Sequence, residues 1–197
     1  SPDKRIIDYL FGKYPFQLDK DYERFVKILT NNREKLDPVL ANGGILEAME
    51  ISYADGVRIF SYYGDEGSGR KFFIRHFCKK HGIWAISVDC KKLFVYDFGF
   101  VEKALWAVTK ECILTGACCC LDELIYREDE KDKFFGYMDL AFSKLTKHGI
   151  LVFALSKEKL SMREITKEEY TELEIPTPSN QEREDCWSYF SEGYALS

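Results

Sequence analysis

The run VRIFSYYGDEGSGRKFFIRHFCKK, Val57 to Lys80, decides the fold. Val57 to Tyr63 is rich in β-branched and aromatic residues, which suits a buried strand. Gly64 to Gly69 then brings three glycines within six residues, and Lys71 to Lys80 reads as a helix stopped by His81-Gly82. A strand that turns through glycines straight into a helix is the opening half of a βαβ unit. Glycines let the backbone curl so that successive amide hydrogens converge, and a helix N-terminus adds roughly half a positive charge. The turn formed by Gly64, Asp65, Glu66, Gly67, Ser68, Gly69, Arg70 and Lys71 is therefore a candidate phosphate-binding site.

The alternation continues downstream. Trp84 to Cys90 (WAISVDC) reads as a second strand, and Val101, Leu105, Val108 and Cys112 share one face of a long helix ending at Thr115-Gly116. Ala117 to Leu121 (ACCCL) is a third strand that runs straight into Asp122-Glu123. Phe134, Met138, Ala141 and Leu145 line the next helix, which stops at His148-Gly149. Ile150 to Leu155 (ILVFAL) is a fourth strand, and Glu172 to Ile175 before Pro176 is a fifth. A last helix, from about Asn180 to Glu192, carries Trp187 and Phe190. Continuously apolar strands alternating with helices imply a mostly parallel five-stranded sheet with helices on both faces, an α/β class. In such sheets ligands bind beyond the carboxyl ends of the strands, where Gly64–Lys71 and Asp122-Glu123 both fall.

The first fifty residues read differently. Asp19 or Asp21 caps a helix on which Tyr22, Phe25, Val26 and Leu29 repeat with helical spacing, and Asn31-Asn32 ends it. Asp37-Pro38 restarts a short helix, which Gly43-Gly44 breaks before Ile45 to Met49. Residues 1–50 are thus expected to form an N-terminal helical leader on an α/β core at 51–197. The opening Ser1-Pro2, with no initiator Met, suggests an excised piece of a longer protein.

Composition narrows the function classes. The 28 basic and 33 acidic residues among 197 leave a net charge of −5, no footprint for duplex nucleic acid or an anionic membrane. No apolar stretch approaches the ~20 residues that span a bilayer. The seven cysteines include no C-x-x-C pair, and Cys118, Cys119 and Cys120 are consecutive, so their side chains alternate between sheet faces. Buried reduced thiols in a cytoplasmic protein are the expectation. His76, His81 and His148 show no metal-ligand spacing, and Tyr62-Tyr63 read as strand core rather than as a stacking platform.

Gly64 to Lys71 resembles the Walker A motif, G-x-x-x-x-G-K-[ST], as it occurs in AAA+ ATPases. Gly64, Gly67 and Gly69 meet the glycine spacing, but Arg70 stands at the lysine position and Lys71 at the Ser/Thr position. Ala117 to Glu123 resembles Walker B. The resemblance implies that Asp122 serves the Mg²⁺ ion and that Glu123 polarises the attacking water. His148 to Ser156 resembles the strand that carries the family's polar sensor, with Ser156 or Lys157 where Asn is usual. Arg163 is a loose candidate for an arginine finger, and Tyr96-Asp97-Phe98-Gly99 lies near the pore-loop position. The resemblance covers roughly 45–195, and the chain stops where a helical lid would begin.

The resemblance implies a P-loop NTPase-like three-layer sandwich that binds ATP or ADP, with Mg²⁺ in question because its hydroxyl ligand is exchanged. It also implies assembly as a homo-oligomer or with adjoining domains. Three readings follow: a nucleotide-binding pseudo-ATPase or weak ATPase, an active ATP-hydrolysing core, and a scaffold that binds nothing. The first is preferred, because the loop's backbone amides survive while two side chains that serve metal and phosphate are changed. A dinucleotide fingerprint at Gly64-x-x-Gly67-x-Gly69, with Asp89 for a ribose hydroxyl, leaves Asp122-Glu123 unexplained.

Overall fold

The computed structural model describes residues 4–10, 18, 20–31 and 33–195. Helices α1 (Lys4–Leu10) and α2 (Lys20–Glu23) precede strand β1 (Val26–Thr30) and helix α3 (Gly44–Ala54). Strand β2 (Ile59–Tyr63) leads into α4 (Arg70–His81), then β3 (Ala85–Asp89), the short α5 (Cys90–Leu93) and the long α6 (Phe98–Thr115). Strand β4 (Cys118–Leu124), α7 (Lys131–Thr146), β5 (Val152–Ser156), α8 (Met162–Ile165), β6 (Tyr170–Glu174) and α9 (Asn180–Ala195) complete the order.

The sheet runs β1-β3-β4-β5-β2-β6, parallel except for β1, which pairs antiparallel with β3. Two cores fill its faces. Ile86, Val88, Cys119, Leu121, Val152 and Ala154 meet Val101, Leu105 and Val108 of α6 and Met138, Phe142 and Leu145 of α7 on one side. Phe60, Tyr62, Cys118, Cys120 and Phe153 meet Met49 of α3 and Phe73, Ile74 and Phe77 of α4 on the other. The consecutive cysteines therefore alternate between faces, as the strand period requires. Six of the seven cysteines are buried, and all are free. Burial pushes the Cys90 and Cys120 thiols up, which keeps them unreactive. Among the described residues no helix is long and apolar enough to cross a membrane.

Three expectations are corrected. The sheet has six strands rather than five. The sixth is β1, which replaces the helix expected over Tyr22 to Leu29; Asp19 and Asn32 lie outside the described residues. The helical spacing there was coincidental. Val26 packs into the core under α6 and α7, whereas Leu29 packs into the opposite one under α3 and α4. Edge pairing decides the conformation: the Asp89 amide donates to the Phe25 carbonyl at 2.7 Å, and Val26 pairs with Val88. No helix forms after Asp37-Pro38, and α3 begins at Gly44 and continues to Ala54.

The helix α1 is fastened to α6 by a buried ion pair, in which Arg5 Nε and Nη2 donate to the two Glu111 oxygens at 2.6 and 2.9 Å. A bidentate guanidinium–carboxylate pair fixes geometry as well as charge. Removing one partner leaves the other charge buried, so Glu111→Ala should lower unfolding free energy by about 3–5 kcal/mol. The double change Arg5→Met with Glu111→Leu should cost far less, and urea unfolding of both variants measures the difference.

Candidate functional site

The glycine loop is pinned between strand ends. Tyr63, the last residue of β2, accepts from the Ile175 amide at 2.8 Å, and the Gly64 amide donates to the Lys157 carbonyl at 3.1 Å. Gly64 has φ +153°, and a Cβ there would stand 2.3 Å from the Ile175 carbonyl oxygen. Only glycine fits that approach. The Ser68 amide closes a turn on the Asp65 carbonyl at 3.1 Å, and Ser68 itself is buried with its hydroxyl unpartnered.

Gly69 then caps α4 in the left-handed conformation, and its carbonyl accepts from both Phe72 and Phe73. The amides of Gly67, Gly69, Arg70 and Lys71 have no acceptor among the described residues. Free N–H groups at the start of a twelve-residue helix make the local field favourable for an anion. Asp65 and Glu66 are exposed.

The two exchanged side chains take separate partners. The Arg70 guanidinium turns to the main-chain carbonyl of Ser156, at the end of β5. The Lys71 ammonium lies 2.5 Å from Asp122 Oδ2, with Asp122 nearly buried and Lys71 39% exposed. β4 is bulged where its acids stand: Leu121 pairs with Ala154 and Leu124 with Ser156, so one extra residue is inserted. The bulge puts Glu123 at φ +55°, exposed, while Asp122 points inward. A left-handed glutamate costs of order 1–3 kcal/mol and persists only where the surroundings dictate it.

The loop, Asp122, Glu123, Ser156 and Lys157 are thus gathered at one end of the sheet, although sequence alone did not disclose the Arg70–Ser156 and Lys71–Asp122 contacts. Asp89 is committed elsewhere: it caps α5 through the Lys92 amide at 3.1 Å and pairs with the Lys92 ammonium at 2.7 Å. That hydrogen bond holds the Lys92 ammonium above its ordinary pKa. Arg163 is exposed on α8, and Asp97 caps α6 by accepting from the Phe100 amide at 3.0 Å. A cleft of about 800 Å³ opens beside Lys71, Asp122 and Glu123, walled by Arg24, Lys27, Lys91 and Tyr96. Sequence reading missed it, because the helix assigned to residues 22–29 hid the strand that forms its far wall.

The ion implied for a Walker-type site does not fit these residues. Its hydroxyl ligand is replaced by Lys71, whose ammonium already rests on the one inward carboxylate, and no group of three His, Cys, Asp or Glu side chains among the described residues forms a metal site.

Solved structures share this fold. The S. cerevisiae Hsp104–ADP complex matches with a TM-score of 0.65 at 14% identity, over 89% of this chain and 34% of that one. The fold is that of the AAA+ P-loop NTPases. A structure concerned with katanin self-assembly gives 0.56 at 11% identity, covering 84% of this chain and 61% of that one. The FIGL-1 AAA domain gives 0.56 at 14%, covering 86% and 65%. The chain thus spans about a third of the Hsp104 chain and less than two thirds of the other two. No protein-family model matches the sequence, and no curated protein does. In this chain β2 to β6 form the parallel body of the sheet, with β1 antiparallel at its edge.

If the Gly64 approach anchors the loop, Gly64→Ala should destabilise by about 2 kcal/mol or more, from overpacking and backbone strain together. Gly136→Ala, in α7 with no atom within 4 Å of the added methyl, should instead stabilise by about 0.5–1 kcal/mol. Thermal melts of the two variants check the contrast.

Proposed function

We propose that this chain is a nucleotide-binding AAA+ module, taking ATP or ADP at Gly64–Lys71 and hydrolysing little or none of it. The observation that carries the reading is the row of unpartnered amides at Gly67, Gly69, Arg70 and Lys71 where β2 passes into α4. Backbone donors need no particular side chain, so anion affinity outlasts the exchange of the Walker lysine and hydroxyl.

Turnover is a harder demand. Catalysis of phosphoryl transfer rests almost wholly on positioning and charge stabilisation. Losing one preorganised group typically costs about 3–4 kcal/mol, or 10²–10³ in rate. Here Arg70 is directed to Ser156 and Lys71 to Asp122, so two expected contributors are diverted. The module is read as working beside copies of itself or adjoining domains. Exposed Trp187, Tyr189 and Phe190 on α9 offer apolar surface for that contact, and the katanin self-assembly structure supplies the analogy.

Calorimetric titration with ATP and ADP, paired with a phosphate-release assay, tests this. Saturable binding with no release is the expected result. Release abolished by Glu123→Gln would establish an active ATPase instead, and no heat or thermal shift with any nucleotide would leave only a scaffold.

A further inference from the structure

We infer that the Lys71 ammonium is a resident cation standing where a divalent metal would serve the phosphates, so that the site takes metal-free nucleotide. The inference deepens the nucleotide reading and rests on it. The ammonium lies 2.5 Å from Asp122 Oδ2, and Asp122 is nearly buried. An ammonium carries three donors. One is occupied by Asp122, and the other two have no acceptor among the described residues. The same residue contributes one of the free amides on the first turn of α4.

A divalent ion and this ammonium cannot share Asp122. Two like charges that close repel, and displacing lysine would strip the carboxylate of its partner. Bound metal therefore opposes binding here, where in an ordinary P-loop site it assists. The preferred ligand follows from the chemistry of the nucleotides. A diphosphate holds Mg²⁺ less tightly than a triphosphate, so in the presence of Mg²⁺ more of it is free of metal. The ligand class is thus a metal-free nucleoside diphosphate, with Lys71 as the residue that sets this preference.

Two arms test the proposal on the 197-residue chain. In the first, Mn²⁺ alone is titrated and free metal is followed by its electron spin resonance signal. Wild type should take up no Mn²⁺, Lys71→Thr and the uncharged Lys71→Met should take it up, and adding Asp122→Asn should abolish the uptake. Equal Mn²⁺ binding by wild type and both variants, or none by any of them, would overturn the resident-cation assignment. In the second arm, ADP and ATP are titrated in EDTA and in excess Mg²⁺. Wild type should lose affinity on adding Mg²⁺, more for ATP than for ADP, whereas Lys71→Thr should gain by roughly tenfold. A strict Mg²⁺ requirement in wild type would overturn the proposal. Failure of both nucleotides under both conditions would instead defeat the nucleotide reading, with the Mn²⁺ arm still deciding what Lys71 does.

Discussion

The contact between Lys71 and Asp122 joins the first turn of α4 to the end of β4, and the candidate site depends on it. A nearly buried carboxylate needs a compensating charge, and lysine supplies one from the helix that follows the loop. The pair is therefore structural and electrostatic at once: it neutralises Asp122 and fixes the start of α4 over the sheet. Around it the Gly64 amide on Lys157, the Ile175 amide on Tyr63 and Arg70 on Ser156 tie the loop to the ends of β2, β5 and the segment after β6. The loop is preorganised by protein contacts, and its free amides are held in place by the same contacts.

The bulge in β4 sets where its two adjacent acids stand. In a regular strand Asp122 and Glu123 would alternate across the sheet. The extra residue and the left-handed Glu123 leave one acid inward, paired with lysine, and the other in solvent beside the 800 Å³ cleft.

The fold was largely legible in the sequence, because strands buried on both faces read as unbroken apolar runs and the glycines mark the strand-to-helix turn. What escaped was non-local. Tyr22, Phe25, Val26 and Leu29 repeat like a helix, yet Phe25 stacks edge-on with Tyr96 and Phe100 while Leu29 enters the opposite core. Only the free edge of β3 makes that segment a strand. At the site, Gly64, Gly67, Gly69, Asp122 and Glu123 were legible as residues at strand ends. The partners of Arg70 and Lys71 were not, since neighbours on a helix's first turn point in different directions and the sequence does not say which carbonyl or carboxylate each meets. The bulge was equally hidden, because it is a property of pairing between β4 and β5.

The central claim is that main-chain amides at the start of α4 hold an anion without a metal. Amide ¹⁵N–¹H spectra recorded during titration with ADP in EDTA test it most directly. The account predicts progressive shifts concentrated at Gly67, Gly69, Arg70 and Lys71, with the Asp89 and Lys92 amides unmoved. Shifts centred on Asp89 and Lys92 with the loop silent, or none anywhere at saturating nucleotide, would contradict it.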